Sequence, residues 1–251
     1  MAHLLLIEVP GGNDFTILED AIDLGHQVTF FTADLAHYRK QGEETQARLA
    51  LAREIVEIHP FDYAEFERRA CLVHSSHPFD AVLCLIDIRM IEASLIAEKF
   101  GLRFLNSATT RLMRDKFSVR QTLATRGVRQ PGFALAETAT ELRQAVAEIG
   151  YPVLVKPSDG YGSQNVSVVF SESDLGNLME SLGVHASNRF SVEKYIRGHM
   201  IGCDVFSSED ERILIGINDK LMFPPLVSHT PVPGADANLC DARQLFSVGS
   251  I

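Results

Sequence analysis

The sequence has few cysteines, and none of the four is placed to form a close pair. Cys71, Cys84, Cys203 and Cys240 are widely spaced and contain no CxxC motif. A disulfide framework is therefore not indicated. Cys84 lies in an apolar pattern typical of a strand, and we expect buried free thiols in a reducing cytosol.

Dense basic runs and long apolar runs are also absent. The net charge is -10, whereas surfaces that bind nucleic acids need clustered Lys and Arg, so a nucleic-acid partner is not indicated. The apolar run at residues 4–7 is too short for a signal peptide or a membrane span, and it lacks a basic leader. We therefore expect a cytoplasmic protein without a membrane partner.

The first hundred residues alternate short apolar runs with helix-like stretches, which predicts an α/β domain with a Rossmann-like parallel sheet. Strands are predicted near residues 4–9, 28–32, 55–58, 81–86 and 103–105, and helices near 15–24, 43–53 and 91–100. The turn at residues 10–13 follows the first strand, but it lacks the GxGxxG spacing of a dinucleotide site. An ordinary βα turn is favoured there.

The second part of the chain predicts an α+β domain. Helix-start residues Asn106 and Ser107 precede a predicted helix at 109–124, which Gly127 would stop. The further predicted helices are 138–149 and 173–182, and the predicted strands are 153–156, 166–170, 190–194, 202–207 and 212–218. A first domain boundary is therefore predicted near residue 106.

The segment 151–169 places a lysine and a glycine-rich turn between two strand-like runs. A buried strand at 153–155 would fix Lys156, while Gly160 and Gly162 allow backbone geometries that expose N–H groups to an anion. Ser163 adds a hydroxyl donor. This pattern is typical of a phosphate-binding hairpin, although an ordinary hairpin has a similar sequence.

Three stretches in order resemble the ATP-grasp superfamily, over roughly residues 1–235. They are Arg114-Asp115-Lys116 with Arg120, the glycine-rich hairpin, and residues 192–196 followed by Gly198. A weaker fourth stretch, Asn218-Asp219-Lys220 with Pro224, Pro225 and His229, is similar to the carboxylate-amine ligase branch, which includes L-amino acid ligases and biotin carboxylase. The resemblance implies three parts: an N-terminal α/β domain at 1–105, a small ATP-grasp subdomain at 106–188, and the start of a C-terminal subdomain at 189–251.

The resemblance also implies a nucleotide site for ATP. Lys116 and Lys156 would hold the α- and β-phosphates, and Glu193 would accept a hydrogen bond from the adenine amino group. The remaining implied contacts are the hairpin loop over the phosphates (Gly160, Gly162, Ser163, Gln164), the backbones of Lys194 and Ile196 at the adenine edge, and the catalytic Lys220 at the γ-phosphate.

This chain departs from the family pattern at several positions. Asn165 stands where relatives often have glycine, but asparagine tolerates a positive φ. Met200 replaces the glutamate that holds the ribose in relatives, and a thioether is a poor acceptor, so His199 and Asp204 are candidate substitutes.

The family's magnesium ligands have no counterpart in the sequence before Ile251, and we expect them outside this chain. Asp236 and Asp241 lack the strand context of such ligands, so no metal ligand is assigned. His74 and His77 have no third zinc ligand in sight, which favours a loop or helix-end pair.

By resemblance, the protein is an ATP-dependent ligase that activates a carboxylate as an acyl phosphate and joins it to an amine. Amino acids and small peptides are the first candidate substrates, Asn13 and Asp87 are candidate substrate contacts, and a homodimer is compatible with the family. Two alternatives stay open: a non-catalytic ATP-binding module that regulates a partner, and, less favoured, an NAD-type oxidoreductase domain.

Overall fold

The computed structural model describes residues 1–9, 15–160, 165–182, 189–207 and 211–219. The chain divides into two compact units, Met1–Arg114 and Asp115–Ile251. The three-part division at residues 105 and 188 stays a prediction. In the described parts of the chain, no helix is both long and apolar enough to cross a lipid bilayer.

The first unit contains a parallel four-stranded sheet in the order β3-β2-β1-β4. The strands are β1 (His3–Ile7), β2 (Gln27–Thr32), β3 (Glu54–Glu57) and β4 (Ala81–Leu83). The helices are α1 (Thr16–Asp23), α2 (Leu35–Arg39), α3 (Glu43–Leu49), α4 (Tyr63–Ser76), α5 (Met90–Phe100) and α6 (Ser107–Arg114). The predicted α/β domain with a parallel sheet is confirmed.

The sheet is buried on both faces at β1, which explains the continuous apolar run of this strand. In β1, Leu4 and Leu6 lie in one hydrophobic cluster, whereas Leu5 and Ile7 lie in another. Successive side chains of a strand point to opposite faces, so a single short strand contributes to two cores.

Two predictions for this unit need correction. The stretch 103–105 forms no strand; the chain leaves α5 through Gly101, which has a φ of 66°. Helix α4 was not predicted, although Asp62 caps it by accepting a hydrogen bond from the Glu65 N–H at 2.8 Å. His74 lies in the last turn of α4 and His77 at its C-cap, which confirms the helix-end interpretation.

The second unit contains an antiparallel sheet in the order β5-β8-β6-β7, with helices packed on one face. Its strands are β5 (Phe133–Ala136), β6 (Val153–Pro157), β7 (Ser167–Val169) and β8 (Phe190–Lys194). Its helices are α7 (Lys116–Thr125), α8 (Ala139–Ile149) and α9 (Glu172–Leu182), and β9 (Ile201–Ser207) pairs with β10 (Arg212–Asp219) in a separate two-stranded sheet. The predicted α+β organisation is confirmed.

The single helix predicted at 109–124 is instead two helices, α6 and α7. Asp115 breaks it: its backbone is extended, with φ -100° and ψ 106°, and its carboxylate accepts a hydrogen bond from the Ser118 N–H at 2.7 Å. An aspartate in this role is an N-cap, and it starts a new helix at Lys116. Strand β5 was also not predicted.

Candidate functional site

The register of the second sheet places a lysine and a glutamate on the same face. Lys156 on β6 lies opposite Ser191 on β8, and Leu154 lies opposite Glu193. Directly paired residues share a face, as do residues two apart in one strand. The Lys156 ammonium therefore reaches the Glu193 carboxylate, with 2.8 Å between Nζ and Oε1.

Glu193 is a buried carboxylate held by two cations. It is only 4% exposed. Arg120 of α7 donates from Nη2 to Oε2 at 3.0 Å, and the Ser191 hydroxyl donates to Oε1 at 3.2 Å. Burial alone would raise the pKa of Glu193, but the hydrogen bonds and charges of Arg120 and Lys156 outweigh it and lower the pKa. Glu193 is thus ionised at neutral pH.

The start of α7 is attached to the end of β6. The Lys116 N–H donates to the Ser158 carbonyl at 2.8 Å, and the Lys116 ammonium donates to the Gly160 carbonyl. Lys116 and Lys156, 40 positions apart in the sequence, are thereby both attached to the segment that leads into the glycine-rich turn. That these two lysines hold the phosphates of ATP stays a prediction.

Arg189 joins the elements that carry the two lysines. Its guanidinium donates to the Asp115 carboxylate and, at 3.1 Å, to Glu137, while its carbonyl accepts from the Ser158 N–H at 3.0 Å. Burial would raise the pKa of Asp115, but hydrogen bonds from Ser118 and the charge of Arg189 lower it. The helix cap is therefore ionised and bound on both sides.

The glycine-rich turn is described only at its two ends. A Cβ atom on Gly160 would lie 3.2 Å from Cβ of Pro157, so a larger residue would have to displace the proline. Asn165 has a φ of 55°, in the left-handed region that asparagine tolerates better than most residues other than glycine. Gly162, Ser163 and Gln164 lie outside the described residues.

Lys194 points away from the lysine and glutamate pair. It lies opposite Val153, and its ammonium donates to the carbonyls of Gly150 and Tyr151 at 2.9 and 2.7 Å. Its N–H donates to the Gly132 carbonyl at 2.7 Å, so only the Lys194 carbonyl could serve a ligand from this backbone unit. Ile196 follows β8 and is 69% exposed.

The candidates for the ribose contact lie on or near the β9-β10 sheet and are exposed. His199 Nε2 is 3.8 Å from Asp219 Oδ1, and Asp204 accepts a hydrogen bond from Asn218 at 3.2 Å. Met200 is 46% exposed. No contact of these residues tests the predicted substitution.

Of the other predicted site residues, Asp87 is in the described part of the chain. Asp87 belongs to the first unit, where its carboxylate lies 3.4 Å from Arg114. Lys220, Asn13, Pro224, Pro225, His229, Asp236 and Asp241 lie outside the described residues. Within the described ranges, no group of three or more His, Cys, Asp or Glu side chains is close enough to hold a metal ion.

Comparison with known proteins agrees with this geometry. Residues 124–220 match the family model for the D-ala D-ala ligase C-terminus. The L-amino acid ligase from Bacillus licheniformis superimposes with a TM-score of 0.68 at 22% identity, over 88% of this chain and 50% of that one. The chain has the ATP-grasp fold. The resemblance drawn from the sequence is confirmed.

Two further ATP-grasp structures were determined with nucleotides. N5-carboxyaminoimidazole synthetase from Staphylococcus aureus, complexed with ADP, has a TM-score of 0.68 at 17% identity, over 88% of this chain and 55% of that one. The biotin carboxylase domain dimer of 2-oxoglutarate carboxylase from Hydrogenobacter thermophilus was determined in complex with MgADP, ADP and bicarbonate. It has a TM-score of 0.67 at 20% identity, over 87% of this chain and 50% of that one. The chain thus spans about half the length of the ATP-grasp structures it matches.

Sequence reasoning named Asp115 and Arg120 only as members of a motif. It missed three features of the candidate site: the N-cap role of Asp115, the contacts of Arg189, and the pairing of Arg120 with Glu193. An aspartate just before the helix-start lysine is a readable N-cap signal. No local sequence pattern indicates the contacts of Arg189 or the pairing of Arg120 with Glu193. Arg120 and Glu193, for example, are 73 residues apart.

Proposed function

We propose that the protein is an ATP-dependent ligase that joins a carboxylic acid to an amine. The observation that carries this proposal is the convergence of Lys116 and Lys156 on the entry to the glycine-rich turn, beside the ionised Glu193. Two ammonium groups at a loop rich in backbone N–H donors suit a triphosphate. The ATP-grasp fold supports the same nucleotide.

The residues present fit ATP. Gly160 carries no side chain that would keep a phosphate from its backbone, and the Lys116 ammonium already reaches its carbonyl. In this proposal Lys116 and Lys156 hold the α- and β-phosphates, residues 162–164 cover the β- and γ-phosphates, and Glu193 with the backbones of Lys194 and Ile196 binds adenine. Lys220 is assigned to the γ-phosphate and the charge of the transition state.

ATP supplies the phosphoryl group that activates the acid. A carboxylate oxygen of the substrate attacks the γ-phosphorus, the bond to the β-phosphate oxygen breaks, and ADP leaves. The amine nitrogen then attacks the acyl carbon, phosphate departs and the amine loses a proton. The protein's part is to position the reactants, neutralise charge and exclude water, because water would hydrolyse the acyl phosphate.

The remaining parts of the proposal concern partners. We propose an amino acid or small peptide as substrate, cytoplasmic residence, and a homodimer as a compatible assembly. Mg²⁺ is expected to accompany ATP. Since the described residues contain no cluster of metal ligands, no step is assigned to the metal.

Replacing Lys156 tests the nucleotide site. Lys156→Ala removes a charge-assisted contact worth roughly 1.5–3 kcal/mol, so ATP affinity should fall about 10- to 100-fold in isothermal titration calorimetry. Lys40→Ala, an exposed lysine of the first unit, is the matched control and should bind ATP as the wild type does. Unchanged ATP affinity in Lys156→Ala would contradict the nucleotide assignment. That result is the one expected if the chain is an NAD-type oxidoreductase domain, in which Lys156 holds no ATP phosphate.

A turnover assay separates the ligase from a non-catalytic ATP-binding module. ADP release by the intact protein is measured with each acid and amine alone and with both together. A ligase should release ADP fastest when both are present. Tight ATP binding without ADP release under any of these conditions would favour the non-catalytic module, and ADP release that needs neither substrate would count against a ligase.

A further inference from the structure

Two cations bind Glu193, and they differ in their chemistry and in their other contacts. Lys156 and Arg120 bind different oxygens of the carboxylate, Oε1 and Oε2. One negative charge faces two positive charges, so the cluster carries a surplus cation. Either cation could leave and Glu193 would still be paired.

Arg120 is the better anchored of the two. Its second nitrogen, Nη1, donates to the Gln130 side-chain oxygen at 2.9 Å. A guanidinium is a planar fork that can hold two acceptors at once, whereas an ammonium is a point charge on a flexible stem. Lys156 also lies next to the proposed phosphate loop, so Lys156 is the cation that a triphosphate would recruit.

We propose that Arg120 is a positioning residue of the nucleotide site: it keeps Glu193 paired and in place while Lys156 turns to phosphate. This inference rests on the proposed ATP site. Without Arg120, a departing Lys156 would leave a carboxylate that is 4% exposed without any cation. An unpaired buried charge is strongly unfavourable, so Glu193 would retain Lys156 and phosphate binding would weaken.

The test measures binding of ATP and of inorganic tripolyphosphate to the intact protein. Tripolyphosphate lacks adenine, so it reports the lysines without the predicted adenine contact of Glu193. The variants are Arg120→Gln, Glu193→Gln and the double variant. Arg129→Gln is the control, because Arg129 is an exposed arginine between α7 and β5. Thermal unfolding of each variant is recorded in parallel.

We expect Arg120→Gln to weaken tripolyphosphate binding at least tenfold and Arg129→Gln to leave it unchanged. In the Glu193→Gln background, Arg120→Gln should change affinity less than twofold, because the carboxylate that retains Lys156 is gone. This dependence distinguishes positioning through Glu193 from a merely structural role, which would give the same loss in both backgrounds.

If Arg120→Gln does not fold, the same cycle is run with Arg120→Lys. This change keeps the charge but loses the fork, so a loss of about two- to fivefold is expected, again only when Glu193 is present. Equal losses in the two backgrounds, or no loss at all, overturn the inference. If Lys156→Ala still lowers ATP affinity in that case, the proposed ATP site is retained and only the role of Arg120 is rejected. If the wild-type protein binds no ATP, both the proposed function and the role of Arg120 are rejected.

Discussion

Among the described residues, each of the two units buries one glutamate, and different kinds of donor hold the two carboxylates. Glu8, at the end of β1, is 6% exposed and accepts hydrogen bonds from the hydroxyls of Tyr38 at 2.7 Å and Thr32 at 2.8 Å, and from the Ala33 N–H. All three donors are neutral. Glu193 is instead held by two cations, so only Glu193 lies beside groups that a phosphate could recruit.

This difference separates a structural carboxylate from one in a candidate binding site. Neutral donors around Glu8 fix the β1 end, where Glu8 itself has a φ of 50°. Burial and the nearby Glu8 charge raise the pKa of Tyr38, so its hydroxyl keeps its proton and donates. Around Glu193 the donors are instead two charged side chains, Lys156 and Arg120.

The largest effect should come from removing the structural carboxylate. Glu8→Ala would leave the Thr32 hydroxyl and the Ala33 N–H without this acceptor, whereas the Tyr38 hydroxyl keeps the Val9 carbonyl at 2.9 Å. We expect the free energy of unfolding to fall by about 3 kcal/mol, since each unsatisfied buried donor costs ~1–3 kcal/mol. Urea denaturation measures the loss. ATP affinity of the folded protein should stay within twofold of wild type.

Glu8→Gln is the matched control because its amide keeps one acceptor oxygen, so it should lose less stability than Glu8→Ala. A Glu8→Ala protein that unfolds like wild type would show that the three hydrogen bonds contribute little. A large loss of ATP affinity at unchanged stability would mean that Glu8 also serves the nucleotide site.

A smaller effect should separate two helix caps with the same chemistry. Asp115→Ala and Asp62→Ala each remove an N-cap, and each should lower the free energy of unfolding by about 1 kcal/mol. Only Asp115 precedes a predicted phosphate lysine, so Asp115→Ala should also weaken ATP binding by about three- to tenfold. Asp62→Ala should bind ATP normally, and equal ATP affinities in the two variants would contradict the positioning of Lys116 by its cap.

The smallest effect concerns pH. The pKa of Glu193 is lower in the folded protein than its ordinary value of 4.5, so the unfolded chain binds more protons in this range. Its contribution to stability is therefore complete above that value and is lost as pH falls through the lowered pKa.

Urea midpoints at about pH 6 and about pH 3 measure this contribution. The wild type should lose more stability over that range than Glu193→Gln, whose amide does not titrate. Asp115 also has a lowered pKa, but it is present in both proteins and cancels. Parallel pH profiles for the two proteins would show that the folded state does not favour ionised Glu193.

Much of the fold could be predicted because its signals are local. The strand predicted at 190–194 is β8 with the same bounds, and helices α5, α8 and α9 were predicted within about two residues. The failures also have local reasons. The short stretch 103–105, with Phe104 and Leu105, resembled a strand, and the helical periodicity of 109–124 concealed the cap at Asp115.

The candidate site was predicted in its charges but not in its contacts. Lys116, Lys156 and Glu193 were named from motifs, and the structure brings Lys156 to Glu193 and attaches both lysines to the same hairpin segment. Strand register and helix placement bring Arg120 to Glu193, which Lys156 also contacts. They also allow Arg189 to join α7 to β6. Such long-range pairings leave no mark in a single sequence, because an arginine on a helix is also typical of a solvated surface.

Both phosphate lysines already hold internal acceptors: Lys116 the Gly160 carbonyl and Lys156 the Glu193 carboxylate. A weakly charged anion such as chloride would displace an internal hydrogen bond for each contact it gained. A triphosphate presents several anionic oxygens together and can compensate for both displacements. In the proposed nucleotide site, this resting arrangement would therefore favour a triphosphate over chloride through charge alone, without any contact to the base.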